Sequence, residues 1–360
     1  MSQGKNILVC PLDWGLGHAA RMVPVINLIN KLGANAIIAA NNGPLEFLKQ
    51  CFPDIKTIKF NGYSPKYPSD GSMAMAMIKS LPKMILESNS AHNELQKLIG
   101  KHNIDAVISD NRYELSTSKV PSVFVTHQLN IQTSGWQIAA KPLINGILSH
   151  FLNKFDEIWI PDVTSNFRLS GNLSETNSFK SKLFNIGLLS RFSNSLITNY
   201  QETIDLLIIL SGPEPQRTIL EKLLLSQAQS TELKTVMLLA KPSEQIDKVV
   251  KNVRLISHLQ NSEFAKLIQS SKIIVSRPGY STLMDLAVFN KKAIFIPTPG
   301  QTEQEYLAKR LFNKGIAYTQ TQNNFVLKEA LLKQNQFKSL FMVNEPELLE
   351  TRMKNLLKNY

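Results

Sequence analysis

The sequence predicts an α/β fold made of two doubly wound, Rossmann-like domains. Short apolar runs alternate along the chain with longer segments of helical periodicity, the pattern of parallel sheets flanked by helices. The runs are apolar at successive positions, as expected for strands buried on both faces. A polar, irregular segment at 188–203 separates the runs into two series. A chain of 360 residues is long enough for two such domains.

The first series begins with "NILVC" at 6–10 and predicts an N-terminal domain over residues 1–190. Its predicted strands are 6–10, 35–40, 55–60, 105–109, 122–127 and 157–161, with helices at 18–32 and 84–100. The segment 188–203 is then expected to be a linker, because its apolar residues show neither the periodicity of a strand nor that of a helix.

The second series predicts a C-terminal domain over 204–340. Its predicted strands are 205–210, 235–240, 253–257, 273–276 and 293–297, with helices at 214–228, 261–270, 280–289 and 301–314. The last stretch, 341–360, contains a helical pattern with a proline near its start. We expect this final helix to pack back onto the N-terminal domain.

Composition restricts the possible partners. The net charge of +12 and the isoelectric point of about 9.5 fit anionic small ligands or an anionic membrane surface. The Lys/Arg runs of a nucleic-acid patch are missing from the sequence, so no nucleic acid is expected. Two cysteines, Cys10 and Cys51, cannot build a disulfide framework or a cysteine metal cluster, and Cys10 is expected to be a buried thiol.

The sequence also predicts a cytoplasmic location. The apolar stretch before Asp13 is too short for a signal peptide, and no run reaches the roughly 18 apolar residues of a membrane span.

The first strand leads into Gly15-Leu16-Gly17-His18. Glycines at a strand-to-helix turn let backbone N–H groups approach an anion, and the helix N-terminus adds a favourable dipole. The third glycine of a dinucleotide fingerprint is replaced by Ala20, and no acidic residue ends the second strand, so a nicotinamide cofactor is disfavoured. His18 would lie at the carboxyl end of the sheet, where ligands of open α/β folds bind.

Three strand ends of the second domain are rich in glycine, proline and polar residues. They are "SGPEPQR" at 211–217, "SRPGYSTLMDLA" at 276–287 and "PTPGQTEQEYLAKR" at 297–310. Each of them could be a helix cap or turn by itself. Together they predict one ligand-binding rim.

These motifs resemble those of the GT-B glycosyltransferases, and within them the family of the lipid-linked N-acetylglucosaminyltransferases of peptidoglycan synthesis. "GLGHAAR" at 15–21 is similar to the family's N-terminal loop, and 276–311 is similar to its nucleotide-sugar segment. The loop at 211–217 departs from the family pattern, because Pro213 and Pro215 replace small residues.

The resemblance implies two domains facing each other across a cleft, and a role for each matching residue. Asp285 would bind the ribose, and Gln304 and Glu305 the donor sugar. Arg217 or Arg191 would offset phosphate charge. Gly15 and Gly17 would lie opposite the donor, near the acceptor. The other matching residues would line the diphosphate of the donor: Ser211, Gly212, Arg277, Gly279 and Ser281.

The implied chemistry needs a general base and stabilisation of the leaving diphosphate. Glycine amides, helix N-termini and arginine can stabilise phosphate charge without a metal, and no Asp-x-Asp metal motif occurs, so metal independence is predicted and no cofactor is expected. His18 is the predicted base, since an imidazole titrates near neutral pH. Asp110 is the alternative base, and His127 would bind acceptor or act as a cap.

The Met- and Lys-rich segment 73–86 suits either a lipid-linked acceptor at a membrane surface or a buried helix with lysines at its edge. The sequence therefore predicts an inverting glycosyltransferase that moves a hexose or N-acetylhexosamine from a UDP-linked donor to a glycan or lipid-linked acceptor, with peripheral association at the inner face of the membrane as an option. A nucleotide-sugar 2-epimerase and a catalytically silent nucleotide-sugar-binding protein are the alternatives.

Overall fold

The chain divides into two units, each built around one sheet. A computed structural model describes residues 4–13, 15–61, 89–130, 141–176, 178–192, 201–241 and 244–358, apart from the side chains of 141–145. Unit 1 extends to Arg191 and takes in Asn344–Tyr360, and unit 2 is Phe192–Val343. The segment 73–86 lies outside the described residues, as does half of the expected linker, residues 193–200.

Unit 1 alternates strands and helices as the apolar pattern requires. Its strands are β1 (Asn6–Pro11), β2 (Asn35–Ala40), β3 (Thr57–Lys59), β4 (Ile104–Asp110), β5 (Ser122–Val125), β6 (Glu157–Ile160) and β7 (Leu183–Asn185). Its helices are α1 (Gly15–Lys31), α2 (Asn42–Cys51), α3 (89–102), α4 (Lys141–Leu152) and, from the C-terminal stretch, α10 (Pro346–Lys358).

The seven strands of unit 1 are all parallel, in the order β3-β2-β1-β4-β5-β6-β7. The central strands β1 and β4 are almost wholly buried, as expected for strands of a parallel sheet that is covered on both faces. Cys10 in β1 is fully buried, as predicted, and burial raises the pKa of its thiol to about 12. The strand order reverses between β1 and β4, which makes their carboxyl ends the topological switch point of this sheet.

The C-terminal stretch packs against unit 1 at Gly187. Gly187 has a φ of +75°, and a Cβ placed there would lie 2.6 Å from the carbonyl oxygen of Glu345. The Leu188 N–H donates to the Asn344 side chain at 2.7 Å, and the Thr164 hydroxyl donates to Glu345 at 2.8 Å. At the far end of α10, Lys5 donates to the Leu357 carbonyl.

Unit 2 repeats the alternation of strands and helices. Its strands are β8 (Ile204–Ile209), β9 (Thr235–Leu238), β10 (Asp247–Val250), β11 (Val253–Ile256), β12 (Ser271–Ser276), β13 (Lys292–Phe295) and β14 (Tyr318–Thr319). Its helices are α5 (Gln216–Ala228), α6 (Asn261–Gln269), α7 (Tyr280–Ala287), α8 (Thr302–Asn313) and α9 (Leu327–Gln334).

The sheet of unit 2 has the order β10-β11-β9-β8-β12-β13-β14 and is parallel except for the edge strand β10. Its core is an apolar cluster that joins β8, β9, β12 and β13 to α5 and α9. The order reverses between β8 and β12, so the switch point of this sheet lies where "SGPEPQR" and "SRPG" begin. The predicted doubly wound α/β class is therefore confirmed for both units.

Several elements differ from the predictions, and each has a local reason. The edge strands β7, β10 and β14 were not predicted because they are only two to four residues long, and β10 is exposed and carries no apolar run. The predicted strand 55–60 forms only over β3. Helix α2 was missed because Gly43 and Pro44 in its first turn have the character of a turn, although proline is tolerated there.

Candidate functional site

The site in unit 1 lies at the carboxyl ends of β1, β4 and β5. Helix α1 starts at Gly15, whose φ is +63°, and a Cβ there would meet no atom within 4 Å. The backbone conformation, rather than close packing, therefore favours glycine at position 15. Gly17 and His18 follow in the first helical turn, so the glycine pair stands inside the helix start instead of in a turn before it.

His18 contacts the carboxylate that ends β4. Its Nδ1 atom lies 3.0 Å from Oδ2 of Asp110. The Asp110 side chain is fully buried, and that of His18 is 11% exposed. The structure thus brings together the two predicted candidates for the general base in one pair.

A buried arginine holds this pair from the same helix. Arg21 donates through Nε to both oxygens of Asp110 at 2.9 Å, and its Nη2 also donates to Oδ1. Nη2 lies 3.0 Å from Nδ1 of His18, and Nη1 lies 3.2 Å from Nδ1 of His127. Predicted from the sequence as an acceptor-binding or capping residue, His127 is 4% exposed and belongs to the same cluster.

The charges in this cluster oppose one another. Burial would raise the pKa of Asp110, but Arg21 and His18 outweigh it and hold the pKa of that carboxyl below its usual range. Burial lowers the pKa of His18, and Arg21 lowers it further, whereas Asp110 acts to raise it. The result is an ionised carboxylate beside an imidazole that is neutral near neutral pH.

The corresponding edge of unit 2 surrounds the switch point between β8 and β12. Ser211 and Gly212 follow β8, and Gly212 has a φ of +102° that favours glycine. A Cβ on Gly212 would lie 3.7 Å from Oγ1 of Thr298, which follows β13. The loops after β8 and β13 therefore approach each other at this edge.

A buried cation lies under these loops. Arg277, directly after β12, is fully buried and donates through Nη1 to the carbonyls of Ile296 and Pro297 at 3.0 Å. Its Nη2 donates to the Gln216 carbonyl and to the side chain of Gln322. Burial lowers the pKa of Arg277 to about 10, which still leaves the guanidinium charged at neutral pH. Among the residues that the structure describes, no carboxylate pairs with it.

Three buried donor atoms at this edge lack a hydrogen-bond partner in the described part of the chain. They are Oγ of Ser276, Nε of Arg277 and Oγ1 of Thr298. A buried polar atom without a partner is costly, so three such atoms at one edge make it a candidate place for a ligand or for water. Nε of Arg277 can only donate, so its missing partner would be an acceptor, and the two hydroxyls can also donate to such a group. The uncompensated charge of Arg277 favours an anion.

The other predicted donor-side residues lie on the helices that begin at the same edge. Gly279 is the N-cap of α7, Ser281 follows in its first turn, and Asp285 lies further along and is 6% exposed. In α8, Oε1 of Gln304 accepts from the Thr298 N–H at 2.9 Å, and Oε1 of Glu305 accepts from the Gly300 N–H at 3.1 Å. Both side chains therefore hold the loop after β13.

The two arginines predicted to offset phosphate charge both have partners within their own units, and their role stays a prediction. Arg217 pairs with Glu214 and, at 3.0 Å, with Glu221, so its charge is already balanced. Arg191 belongs to unit 1, where its guanidinium lies 5.9 Å from the ring centre of Phe47.

Sequence reasoning gave no part to Arg21 or Thr298. A signal existed for both, because Arg21 lies three residues after His18 on one helix face and Thr298 stands at a strand end beside a glycine turn. No group of three or more histidine, cysteine or acidic side chains suited to a metal occurs among the described residues. No helix in the described ranges is long and apolar enough to cross a membrane.

Comparison with known proteins finds a family model that matches the C-terminal part of the chain. Residues 208–359 match the glycosyltransferase family 28 C-terminal domain. One relative is the UDP-N-acetylglucosamine–N-acetylmuramyl-(pentapeptide) pyrophosphoryl-undecaprenol N-acetylglucosamine transferase of Rickettsia felis. The two chains are 32% identical over 123 residues, and this stretch covers 31% of the present chain and 33% of the relative. It thus spans about a third of that relative's length. The resemblance stated from the sequence is confirmed for this part of the chain.

Solved structures extend the likeness to the whole fold. The glycosyltransferase SnogD from Streptomyces nogalater superposes with a TM-score of 0.62 at 12% identity, covering 99% of this chain and 100% of that one. A putative UDP-N-acetylglucosamine 2-epimerase from Listeria monocytogenes gives a TM-score of 0.65 at 12% identity, covering 100% and 97%. At such low identity these likenesses show the fold, which is the predicted GT-B fold.

Proposed function

We propose that this chain is an inverting glycosyltransferase that moves a hexose or N-acetylhexosamine from a UDP-linked donor to a glycan or lipid-linked acceptor. The observation that carries this proposal is the set of unsatisfied buried donors and the uncompensated guanidinium at the switch point of unit 2. A diphosphate supplies the acceptor oxygens and the negative charge that these groups lack. The family 28 match over 208–359 supports the same assignment.

The donor half of the reaction is assigned to unit 2. Backbone N–H groups at Gly212 and Gly279, with the N-terminus of α7, would bind the diphosphate, and Arg277 would stabilise the charge that develops as it leaves. Asp285 would accept hydrogen bonds from the ribose hydroxyls. Gln304 and Glu305 would contact the sugar from the loop that they hold.

Acceptor activation is assigned to unit 1, with His18 as base and Asp110 as the residue that orients it. We assign the proton on Nδ1 of His18 to a hydrogen bond with Asp110, because the opposite arrangement would set a lone pair against a carboxylate oxygen at 3.0 Å. This choice leaves Nε2 as the nitrogen that accepts a proton. Nη2 of Arg21 then donates to Oδ1 of Asp110 and only contacts Nδ1 of His18, without a hydrogen bond to it. Asp110 itself is fully buried and paired with Arg21, which suits orientation rather than proton transfer.

The proposed step is a direct displacement. The acceptor hydroxyl oxygen attacks the anomeric carbon while the bond from that carbon to the diphosphate oxygen breaks, and configuration inverts. The hydroxyl proton passes to Nε2 of His18, and the nucleoside diphosphate leaves with the bonding electron pair. A positioned base of this kind contributes about 10²–10⁴-fold to the rate.

The acceptor and location are proposed from the named relative. That relative acts on an undecaprenol-linked acceptor according to its name, so we assign this chain a lipid-linked acceptor, a cytoplasmic location and peripheral contact with an anionic membrane. The net charge of +12 favours such a surface. No metal and no cofactor take part in the proposed reaction.

A 2-epimerase is the second candidate, because a putative epimerase shares the fold over the full chain. It would convert the donor without any acceptor. A silent nucleotide-sugar-binding protein is the third, and it would bind the donor without turnover.

The proposed function is tested by calorimetric titration with UDP, several UDP-sugars and GDP-mannose. We expect a UDP-sugar to bind, with Arg277→Met weakening binding of both UDP and the UDP-sugar. The exposed Arg254, which pairs with Asp247 in the same unit, provides the control variant Arg254→Met. A wild-type chain that binds none of these nucleotides would overturn the proposed function.

A further inference from the structure

Arg21 is buried among the groups of the unit 1 site, and the displacement described above assigns it no part. Its side chain is 2% exposed, and it lies three residues after His18, on the same face of α1. It reaches partners on three elements: His18 on α1, Asp110 at the end of β4, and His127 two residues beyond β5.

Each nitrogen of the guanidinium is used. Nε and Nη2 hold the Asp110 carboxylate, Nη2 also contacts Nδ1 of His18, and Nη1 contacts Nδ1 of His127. The guanidinium spreads its nitrogens over a rigid planar fork, whereas a lysine ammonium has a single nitrogen and does not reproduce this geometry. The contacts therefore fix where the His18 ring and the carboxylate sit relative to each other.

We propose that Arg21 is a positioning residue for the general base: its guanidinium keeps Asp110 ionised and keeps the resting His18 ring neutral, so that the ring is ready to accept a proton. This inference rests on the proposed function for its catalytic meaning. Its physical content, the proton affinity of the His18–Asp110 pair, is independent of any reaction.

The charge balance explains why an arginine is needed. An imidazole beside a buried carboxylate forms an ion pair and holds its proton to high pH, which would leave the base already protonated. The guanidinium cancels the carboxylate charge at a similar distance from the ring, so the proton is not retained. When the ring takes the acceptor's proton, Asp110 is still ionised and orients it.

Among the residues that the structure describes, the charged and titratable groups that act on His18 include Arg21 from its own helix, Asp110 from β4 and His127 from the segment after β5. Without Arg21, the His18–Asp110 pair would take up its first proton at a higher pH, whichever partner carries it. A residue that served packing alone would leave that titration unchanged.

The test follows the titration of His18 by NMR in the full chain labelled at its histidines, with the His18 signal assigned from the His18→Gln variant. We expect Arg21→Met to raise the titration midpoint of His18 by at least about one pH unit, a tenfold change in proton affinity. Arg112→Met is the matched control, since Arg112 is also buried and pairs with Glu114 at 2.9 Å. Within the described ranges its side chain bonds to Glu114 and to the Asn61 carbonyl, and to no group of the His18 cluster. The control should leave the midpoint unchanged.

Arg21→Lys keeps the charge but replaces three nitrogens on a planar fork by one, so it cannot reproduce the two-pronged contact with Asp110 together with the contact to His127. We expect it to raise the midpoint less than Arg21→Met and to lower kcat at least about tenfold with the donor KM unchanged. The inference would be overturned if His18 kept its wild-type titration midpoint in either folded Arg21 variant. It would also be overturned if Arg21→Lys kept the wild-type kcat. If no sugar transfer is found at all, the proposed function fails, and the NMR titration still decides the role of Arg21.

Discussion

The Nδ1 atom of His18 lies 3.0 Å from Oδ2 of Asp110, although 92 residues separate the two in the sequence. The parallel pairing of β1 with β4 causes this proximity, because Pro11 is paired with Asp110 and the chain enters α1 four residues later. The contact links the histidine of the glycine loop to the end of a neighbouring strand. The first two predictions follow from it.

Replacing His18 by alanine should lower turnover by about 10²–10⁴-fold while donor affinity stays nearly intact. The reason is that the base acts on the acceptor and the donor is assigned to unit 2. Steady-state kinetics and donor titration measure the two effects. His102→Ala, at the opposite end of the sheet, is the control, and a turnover loss of equal size there would show that His18 has no special role.

Asp110→Asn should destabilise the fold by about 3–5 kcal/mol at pH 7, because it leaves the buried Arg21 without a counter-charge. The folded pKa of Asp110 lies below its ordinary value of 3.8, so this carboxylate stabilises the fold above that pH and loses its effect as the pH falls further. The gap between wild type and variant should therefore narrow below about pH 3.8 in urea unfolding. A gap that stays constant down to pH 2 would contradict the buried ion pair.

Asp285→Ala should weaken binding of UDP and of the UDP-sugar alike, since the lost contact is to the ribose. Gln304→Ala should weaken the UDP-sugar more than UDP, since the contact is to the sugar. Calorimetry with both ligands separates the cases, and Glu329→Ala, a surface carboxylate paired with Lys333, is the control. An equal loss of both ligands in Gln304→Ala would mean that Gln304 acts only by holding the Thr298 loop.

Gly187→Ala should cost about 2–5 kcal/mol of stability, from a strained positive φ and from the 2.6 Å approach of the new Cβ to the Glu345 carbonyl. Gly315 offers a matched control, because its φ is +64° but no atom lies within 4 Å of its Cβ position. Gly315→Ala should cost only about 1–2 kcal/mol. Urea transition midpoints compare the two variants, and equal shifts would show that the C-terminal stretch does not press on Gly187.

Addition of EDTA should leave turnover unchanged, because the proposed reaction stabilises the leaving diphosphate with Arg277 and helix N-termini alone. The measurement is UDP release with and without chelator. Loss of turnover that Mg²⁺ or Mn²⁺ restores would overturn metal independence.

The sequence was sufficient for the fold class, because buried parallel strands such as β1, β4, β8 and β12 each contain several successive apolar residues. Their alternation with amphipathic helices leaves few other topologies. The edge strand β10 could not be predicted in the same way, since its side chains are exposed and its pairing depends on β11. Helix α2 was hidden by the Gly43-Pro44 pair in its first turn.

The sequence predicts candidate site residues separately at each strand end, so it does not predict which of these residues contact one another. His18 and Asp110 could each be named because both follow strands that end at the same edge. Their contact, and the arginine that joins them, depends on β1 and β4 being neighbours, which no local pattern states. The ion pairs of Arg217 were equally invisible to local reasoning: its position at a helix start predicts a phosphate ligand, and the structure adds that Glu214 and Glu221 pair with its guanidinium.

The most direct test of the proposed glycosyltransferase activity is proton NMR of the anomeric centre during turnover of a UDP-sugar with lipid-linked and soluble glycan acceptors. We predict that UDP appears only when an acceptor is present, in equal amount to a product whose anomeric configuration is inverted relative to the donor. Conversion of the donor to its 2-epimer without acceptor, or a product with retained configuration, would contradict this account.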